Sequence, residues 1–321
     1  MSTTSHLRDG TVLETLGSNK WTITNVIGEG GQSVVYRATS GKLVGALKHF
    51  KTDRPGILEK SMQTSALASN KDIAPKIYGV GQYDGYKWFI VFELMDTSID
   101  QFVPQTIDTL IDIMIQTASA LSVLHAIDPP IAHMDLKPEN ILLNIEPVKV
   151  KLGDYGLSCD NYVHKCYQSG TSPMYADPML KDTQSSRGKI TKYLSMDIFS
   201  LGLSFRQMIY AFSYDSRAGI VDQESLYILR SRNVPFKFTN SSRSKNDIEV
   251  LAELDQSLIL PMMNTPMSSR FTAREVYERL VDIRNKHGIR SLKRQDQFKV
   301  HVGPKGGRYI LRKNKKIYLT D

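Results

Sequence analysis

His133-Met134-Asp135-Leu136-Lys137-Pro138-Glu139-Asn140 is the most informative stretch of this chain. It sets a carboxylate at Asp135, an ammonium two residues on at Lys137, and an amide at Asn140. Asp154-Tyr155-Gly156 follows a short distance downstream. A proline-containing turn without chemistry would account for Pro138. It would not account for the acid, the cation and the amide together ahead of an Asp-aromatic-Gly.

The flanks supply the context. Ile141–Leu143 and Val148–Leu152 read as short strands, and Ile107–His125 as a helix whose stripe is Leu110, Ile111, Met114, Ile115, Ala118, Leu121 and Leu124. Pro129-Pro130 ends that helix. Farther on, Met196–Ala211, Glu249–Leu260 and Thr272–His287 fit helices, and Thr239–Asn246 fits a polar loop. The first hundred residues differ in character. Trp21–Ile27, Val34–Thr39, Leu43–Phe50, Lys76–Val80 and Trp88–Glu93 read as strands, with one helix near Ile57–Ala68. Residues 1–20 read as a weakly ordered lead-in. Strand patterns return from Phe298, around Val300, Tyr309 and Ile317. The expectation is an α+β chain: a β-rich part over 21–96, a helical part over 97–290 and a basic β extension over 295–321.

Composition agrees with a soluble globular chain, at 41% hydrophobic and 23% charged residues. No window approaches the roughly 18 uninterrupted apolar residues of a membrane span, so none is expected. Met1–Gly10 is polar and has no signal core. The net charge of +8 is concentrated late: Val281–Asp321 holds 12 Lys and Arg against 3 Asp and Glu. That end reads either as a solvated tail or as a face for nucleic acid, an anionic surface or an acidic partner. The two cysteines, Cys159 and Cys166, suit neither a zinc knuckle nor a Cys-x-x-Cys redox pair. They read as free thiols in an intracellular, cytoplasmic protein.

Two further motifs precede the octapeptide. Gly28-Glu29-Gly30-Gly31-Gln32-Ser33-Val34-Val35 lies between two strands, where glycine lets backbone amides approach phosphate oxygens. No Gly-Lys-Ser/Thr follows, and the segment opens no helix, so it is neither a Walker loop nor a dinucleotide fingerprint. Gly45-Ala46-Leu47-Lys48 occupies a following strand. With the octapeptide and Asp154-Tyr155-Gly156, these residues resemble the eukaryotic-type protein kinase family over about Trp21 to His287.

The resemblance implies a two-lobed protein kinase fold, with a small β-rich N-lobe and a larger helical C-lobe. It implies ATP with Mg²⁺ or Mn²⁺, and transfer of the γ-phosphate to protein substrates. Asp135 would orient the acceptor hydroxyl and take its proton, and Lys137 would sit beside the γ-phosphate. Lys48 would clamp the α and β phosphates, held by Glu59. Asn140 and Asp154 would be the metal ligands. Ile27, Val35, Ala46 and Leu142 would wall the adenine between the lobes. Gly28, Glu29, Gly30, Gly31, Gln32, Ser33 and Val34 would cover the phosphates. Glu93 and Met95 would lie in the hinge Phe92-Glu93-Leu94-Met95. Asp197 matches the buried aspartate that holds the catalytic loop from below. Lys137, with Gly170-Thr171-Ser172-Pro173-Met174-Tyr175, implies serine or threonine acceptors. The rival reading is a pseudokinase scaffold that binds ATP or partners without catalysis. A small-molecule kinase of similar fold stands third.

The chain departs from the family pattern at several places. Ser33 replaces the third loop glycine. Met134 stands where most kinases have an arginine that pairs with a loop phosphate, which implies activity without that phosphorylation. Tyr155 adds a hydroxyl that needs a partner if buried. Asp177-Pro178-Met179 replaces Ala-Pro-Glu, which leaves the partner of Arg270 open, with Asp177 as candidate. At the C-terminus, Val302-Gly303-Pro304-Lys305-Gly306-Gly307-Arg308-Tyr309 and Lys315-Lys316-Ile317-Tyr318 resemble a basic module appended to proteins of large DNA viruses. Ile73-Ala74-Pro75-Lys76-Ile77-Tyr78 resembles kinases of that group, which would place the protein in the host cytoplasm or the virion.

Overall fold

A computed structural model describes the chain except residues 1–5, 32, 52–63, 85–86, 161–171, 179–189, 215–220, 232–233, 239–240, 242, 292–299, 303–307, 313–314 and 319–321. Of the sequence-derived candidates, Gln32, Glu59, Cys166, Gly170, Thr171 and Met179 lie outside the described residues. The chain forms two compact units, Met1–Asp96 with Phe298–Asp321, and Thr97–Gln297.

The first unit is built on a six-stranded sheet. Its strands are β1 (Val12–Glu14), β2 (Lys20–Glu29), β3 (Ser33–Ser40), β4 (Leu43–Phe50), β5 (Ile77–Tyr83) and β6 (Lys87–Glu93), in the order β1-β2-β3-β4-β6-β5. Neighbouring strands are antiparallel, and side chains alternate between faces. Val34, Tyr36, Ala38 and Leu47 pack on one face with Trp21, Ile23, Phe89 and Val91. Val35 pairs across with Lys48, so these two and Ala46 belong to the opposite face. Gly45 is required where it stands. A Cβ there would lie 2.7 Å from Val91 Cγ1 and 2.9 Å from the Trp21 ring.

The lead-in expectation is corrected here. Val12–Glu14 pairs with β2, and Leu7 and Leu13 belong to the buried core of this sheet. Three residues are too short a run for alternation to announce a strand; the burial of Leu7 and Leu13 secures it. Of the expected helix near Ile57–Ala68, residues 64–70 are described, and they are helical. The C-terminal segment contributes β12 (Val300–Val302), β13 (Arg308–Arg312) and β14 (Lys315–Tyr318), an antiparallel three-stranded sheet in that order.

The second unit is mainly helical. The helix α1 (Ile107–His125) opens with Thr106, whose hydroxyl accepts from the Thr109 N–H. Length and composition alone would let α1 cross a membrane, but 67% of that window is buried inside the unit, as befits a core helix. The strands β7 (Thr97–Ser98), β9 (Ile141–Ile145) and β10 (Val148–Leu152) form a small sheet, and β8 (Ile131–Ala132) pairs with β11 (Cys159–Asp160). The helix α2 (Ile190–Ser213) is buried on nearly every face, and Asp197, Ser200, Arg206 and Gln207 are among its buried polar residues.

Two features lie beyond the reach of periodicity. The helix α3 (Gln223–Ser231) buries only Leu226 and Leu229, and its apolar residues Leu226-Tyr227-Ile228-Leu229 form a continuous run with no helical stripe. The helix expected over Glu249–Leu260 is three segments: α4 (Lys245–Glu253), a π-helical stretch Leu254–Ile259 and α5 (Leu260–Asn264). Within the π stretch, Asp255 faces the fully buried Arg206 of α2, at 3.0 Å from Nε to Oδ1. The last helix, α6 (Ala273–Lys286), begins with a capping box between Thr272 and Glu275. The free-thiol expectation is also corrected: Cys159 is disulfide-bonded. Rules for zinc and redox spacing do not test for a disulfide.

Candidate active site

The octapeptide lies between β8 and β9 and is organised around Asp197 of α2. This carboxylate is 1% exposed and receives the backbone N–H groups of His133 (2.6 Å) and Met134 (2.8 Å). His125 Nε2 lies 2.9 Å from the same carboxylate. Met134 adopts φ 66°, a left-handed conformation that strains a side chain with a Cβ. Two amides on one buried carboxylate hold the backbone there. His133 Nε2 is 2.9 Å from the Gly153 carbonyl, and His133 Nδ1 accepts from the Asp135 N–H at 3.3 Å. One neutral tautomer, with the proton on Nε2, meets both requirements. His133 and His125 are thus both engaged in contacts within this loop and with Asp197.

Asp135 is held by donors at both oxygens. Its Oδ2 accepts from Asn140 Nδ2 (3.0 Å) and lies 3.2 Å from Lys137 Nζ. Its Oδ1 accepts from the Ser172 N–H at 3.3 Å. Lys137 Nζ also donates to Ser172 Oγ at 2.7 Å. Ser172 thus contacts both Asp135 and Lys137, while Thr171 beside it lies outside the described residues. The signal is present in the sequence: the pattern Thr-x-x-Tyr, counted back from Tyr175, lands on Ser172.

The fit of a divalent cation rests on Asn140 and Asp154. Asn140 Nδ2 is committed to Asp135, which leaves the amide oxygen as the atom it can offer. Gly153 N–H donates to the Asn140 carbonyl (2.8 Å) and ties the residue before Asp154 to the loop. Asp154 is exposed, in the left-handed region at φ 58°, and caps the short helix Tyr155–Leu157. Among the described residues no three His, Cys, Asp or Glu side chains gather as a cage. Two oxygen ligands suit Mg²⁺, which keeps several waters and takes phosphate oxygens for the rest.

Downstream, the segment Ser172–Pro178 is anchored repeatedly. Ser200 Oγ donates to the Tyr175 carbonyl (2.8 Å), and the Tyr175 hydroxyl donates to Gln207. Arg270 Nη1 reaches Asp177 Oδ2 at 2.5 Å and the Ser195 carbonyl at 2.7 Å. Asp177 is therefore the partner of Arg270, in place of the absent glutamate. Its position two residues before Met179 explains how the pair survives that replacement.

Tyr155 is 1% exposed and tilted against His133 at 4.9 Å between ring centroids. Its hydroxyl has no hydrogen-bond partner among the described residues, and burial pushes its pKa up. A buried hydroxyl without a partner is destabilising. Tyr155→Phe is expected to raise the free energy of unfolding by about 1 kcal/mol, read from the midpoint of urea unfolding.

In the first unit, Gly30 N–H donates to the Ser33 carbonyl (2.9 Å) and closes the loop between β2 and β3. A Cβ at Gly30 or Gly31 would meet nothing within 4 Å, so the backbone there is open to a close ligand. Glu29 is engaged by Lys51 (2.7 Å) and His6 (3.2 Å), which hold its carboxyl below the usual range. What Glu29 can offer a phosphate is its backbone. Val34 likewise turns its side chain into the core, whereas Val35, Ala46 and Lys48 share the other face. Lys48 Nζ sits 5.6 Å from the Phe50 ring centroid. Ile27 is half-buried on β2, and Gly28 pairs with Val35 across β3. The Glu93 carboxylate accepts from the Lys76 N–H (3.1 Å), and Met95 is buried. In the second unit Leu142 is half-buried on β9 and packs so close to Gly153 that a Cβ there would lie 2.8 Å from Leu142 Cδ1.

The protein kinase domain family matches residues 21–280. A probable serine/threonine-protein kinase of Clostridium perfringens is 24% identical over 307 residues, covering 89% of this chain and 42% of the relative. A probable receptor-like serine/threonine-protein kinase of Arabidopsis thaliana is 32% identical over 149 residues, covering 42% of this chain and 34% of the relative. The chain spans less than half the length of these curated relatives. The solved structure of vaccinia related kinase 3 superposes with a TM-score of 0.62 at 16% identity, covering 90% of this chain and 94% of that one. The fold is thus that of a protein kinase, a β-rich N-terminal part followed by a helical one. On the extent of the family match and the loop that it contains, the chain belongs to the eukaryotic-type protein kinase family.

Proposed function

We propose that this chain transfers the γ-phosphate of Mg-ATP to serine or threonine hydroxyls of protein substrates. The observation that carries the reading is the setting of Asp135. One oxygen faces Lys137 and Asn140, the other the Ser172 amide, and the loop beneath is fixed by Asp197. Asp135 orients the acceptor hydroxyl and takes its proton. Lys137 neutralises charge on the transferring group, and its ammonium also holds Ser172, on which an acceptor peptide would lie. Asn140 and Asp154 would hold the metal, which supplies charge neutralisation on the phosphates when bound. In the first unit, Lys48 and the glycine loop serve the phosphates, and Ile27, Val35, Ala46, Glu93 and Met95 serve the base. The test is radiolabelled ATP with a mixed protein substrate, Asp135→Asn being the control. ATP binding without transfer above that control would favour the pseudokinase reading instead.

Activity is also proposed to need no phosphate on the activation segment. Met134 is 7% exposed and packs with Ala132, Leu157, Cys159, Tyr193 and Met196. The position that would hold a phosphate-binding arginine is instead a hydrophobic anchor. Phosphatase treatment of the purified protein is expected to leave its transfer rate unchanged. A loss of activity that ATP preincubation restores would refute this.

A further inference from the structure

The guanidinium of Arg230, near the end of α3, makes three contacts that the catalytic reading does not use. Nη1 donates to the carbonyls of Pro173 and Met174, both at 2.5 Å, and Nη2 donates to the Ala176 carbonyl at 2.7 Å. Among the described residues no other side chain donates to these three carbonyls. The guanidinium also lies 5.7 Å from the Phe199 ring centroid on α2.

We propose that Arg230 is a positioning residue for the acceptor: it sets the register of Ser172–Pro178, the segment on which the substrate peptide is presented to Asp135. The proposal rests on the transfer reading above. The segment is tied at one end to the catalytic loop, through Ser172 to Lys137 and Asp135. At the other end it is tied to Arg270 through Asp177. Between them the chain turns, with the N–H groups of Tyr175 and Ala176 both on the Ser172 carbonyl. A turn of this kind gathers carbonyl oxygens at one end, as the last turn of a helix does, and a cation there is stabilising. A planar fork with five donors can span three oxygens at once; a lysine ammonium lacks that reach and geometry. Release of the turn would let Ser172 drift from Asp135, and displacements of about 1 Å in a positioning element can lower rates about 10²-fold.

Arg230 touches neither Asp135 nor Lys137 in any described contact, so its effect should fall on one substrate only. In the full-length protein, Arg230→Ala is expected to lower kcat/KM for a protein acceptor by about 10- to 100-fold. KM for ATP and the slow transfer of the γ-phosphate to water should stay at the wild-type values. Arg230→Lys keeps the charge and much of the stem, guards against a general loss of fold, and should fail in the same selective way. The proposal is overturned if Arg230→Lys restores full acceptor kinetics, or if acceptor and water transfer fall together in a variant with the wild-type unfolding midpoint. Absence of both transfers in the wild-type protein would instead refute the underlying transfer reading.

Discussion

Asp135→Asn is expected to lower phosphoryl transfer by about 10²- to 10⁴-fold, the usual contribution of a positioned acid–base group. The substitution preserves shape but removes the proton acceptor. It also sets an amide among donors: Lys137 Nζ at 3.2 Å, Asn140 Nδ2 at 3.0 Å and the Ser172 N–H at 3.3 Å. One amide oxygen cannot serve donors on both sides, so the hydroxyl of the acceptor would also be oriented less well. The loop itself hangs on Asp197, which the substitution leaves untouched, so the unfolding midpoint should move little. Label transfer measured beside urea unfolding separates the two effects. Retention of more than about a tenth of the rate would remove Asp135 from the role of base.

The largest effect on stability is expected from Asp177→Ala. Arg270 would keep the Ser195 carbonyl but lose its only described carboxylate, with the Arg270 side chain 3% exposed. Leaving one partner of a buried pair costs about 3–5 kcal/mol, a large share of the roughly 5–15 kcal/mol by which domains are stable. In a chain of this size that corresponds to a fall of about 10 °C in Tm, measurable by scanning calorimetry. The double variant Asp177→Ala with Arg270→Leu should recover part of the loss, because no lone charge then remains buried. A single variant as stable as wild type would show that the pair contributes nothing net.

The catalytic loop is readable in the sequence because its chemistry is local. The acid, the cation and the amide must sit within one turn, so His133–Asn140 carries them in order. Asp197 is also readable, although its partners lie more than 60 residues away, since the residues around it are themselves a motif. Contacts to backbone leave no such mark. Arg230 binds three carbonyls, and a carbonyl is the same at every residue, so nothing in Pro173, Met174 or Ala176 announces it. The contacts of Ser172 with Lys137 and Asp135 carry no clear mark either, because Thr171 beside it offers the same hydroxyl chemistry. The strand Val12–Glu14 and the helix Gln223–Ser231 escape because each buries few apolar side chains. The π stretch escapes because a periodicity of 3.6 does not register its wider turn.

The apolar seat of Met134 has a consequence for how the protein meets its surroundings. A phosphate clamped by arginine is an ionic contact and weakens as salt screens it. Met134 among Leu157, Cys159, Tyr193 and Met196 is held by exclusion of water, which salt does not screen and which cooling weakens. The arrangement of this loop should therefore tolerate high ionic strength and loosen in the cold.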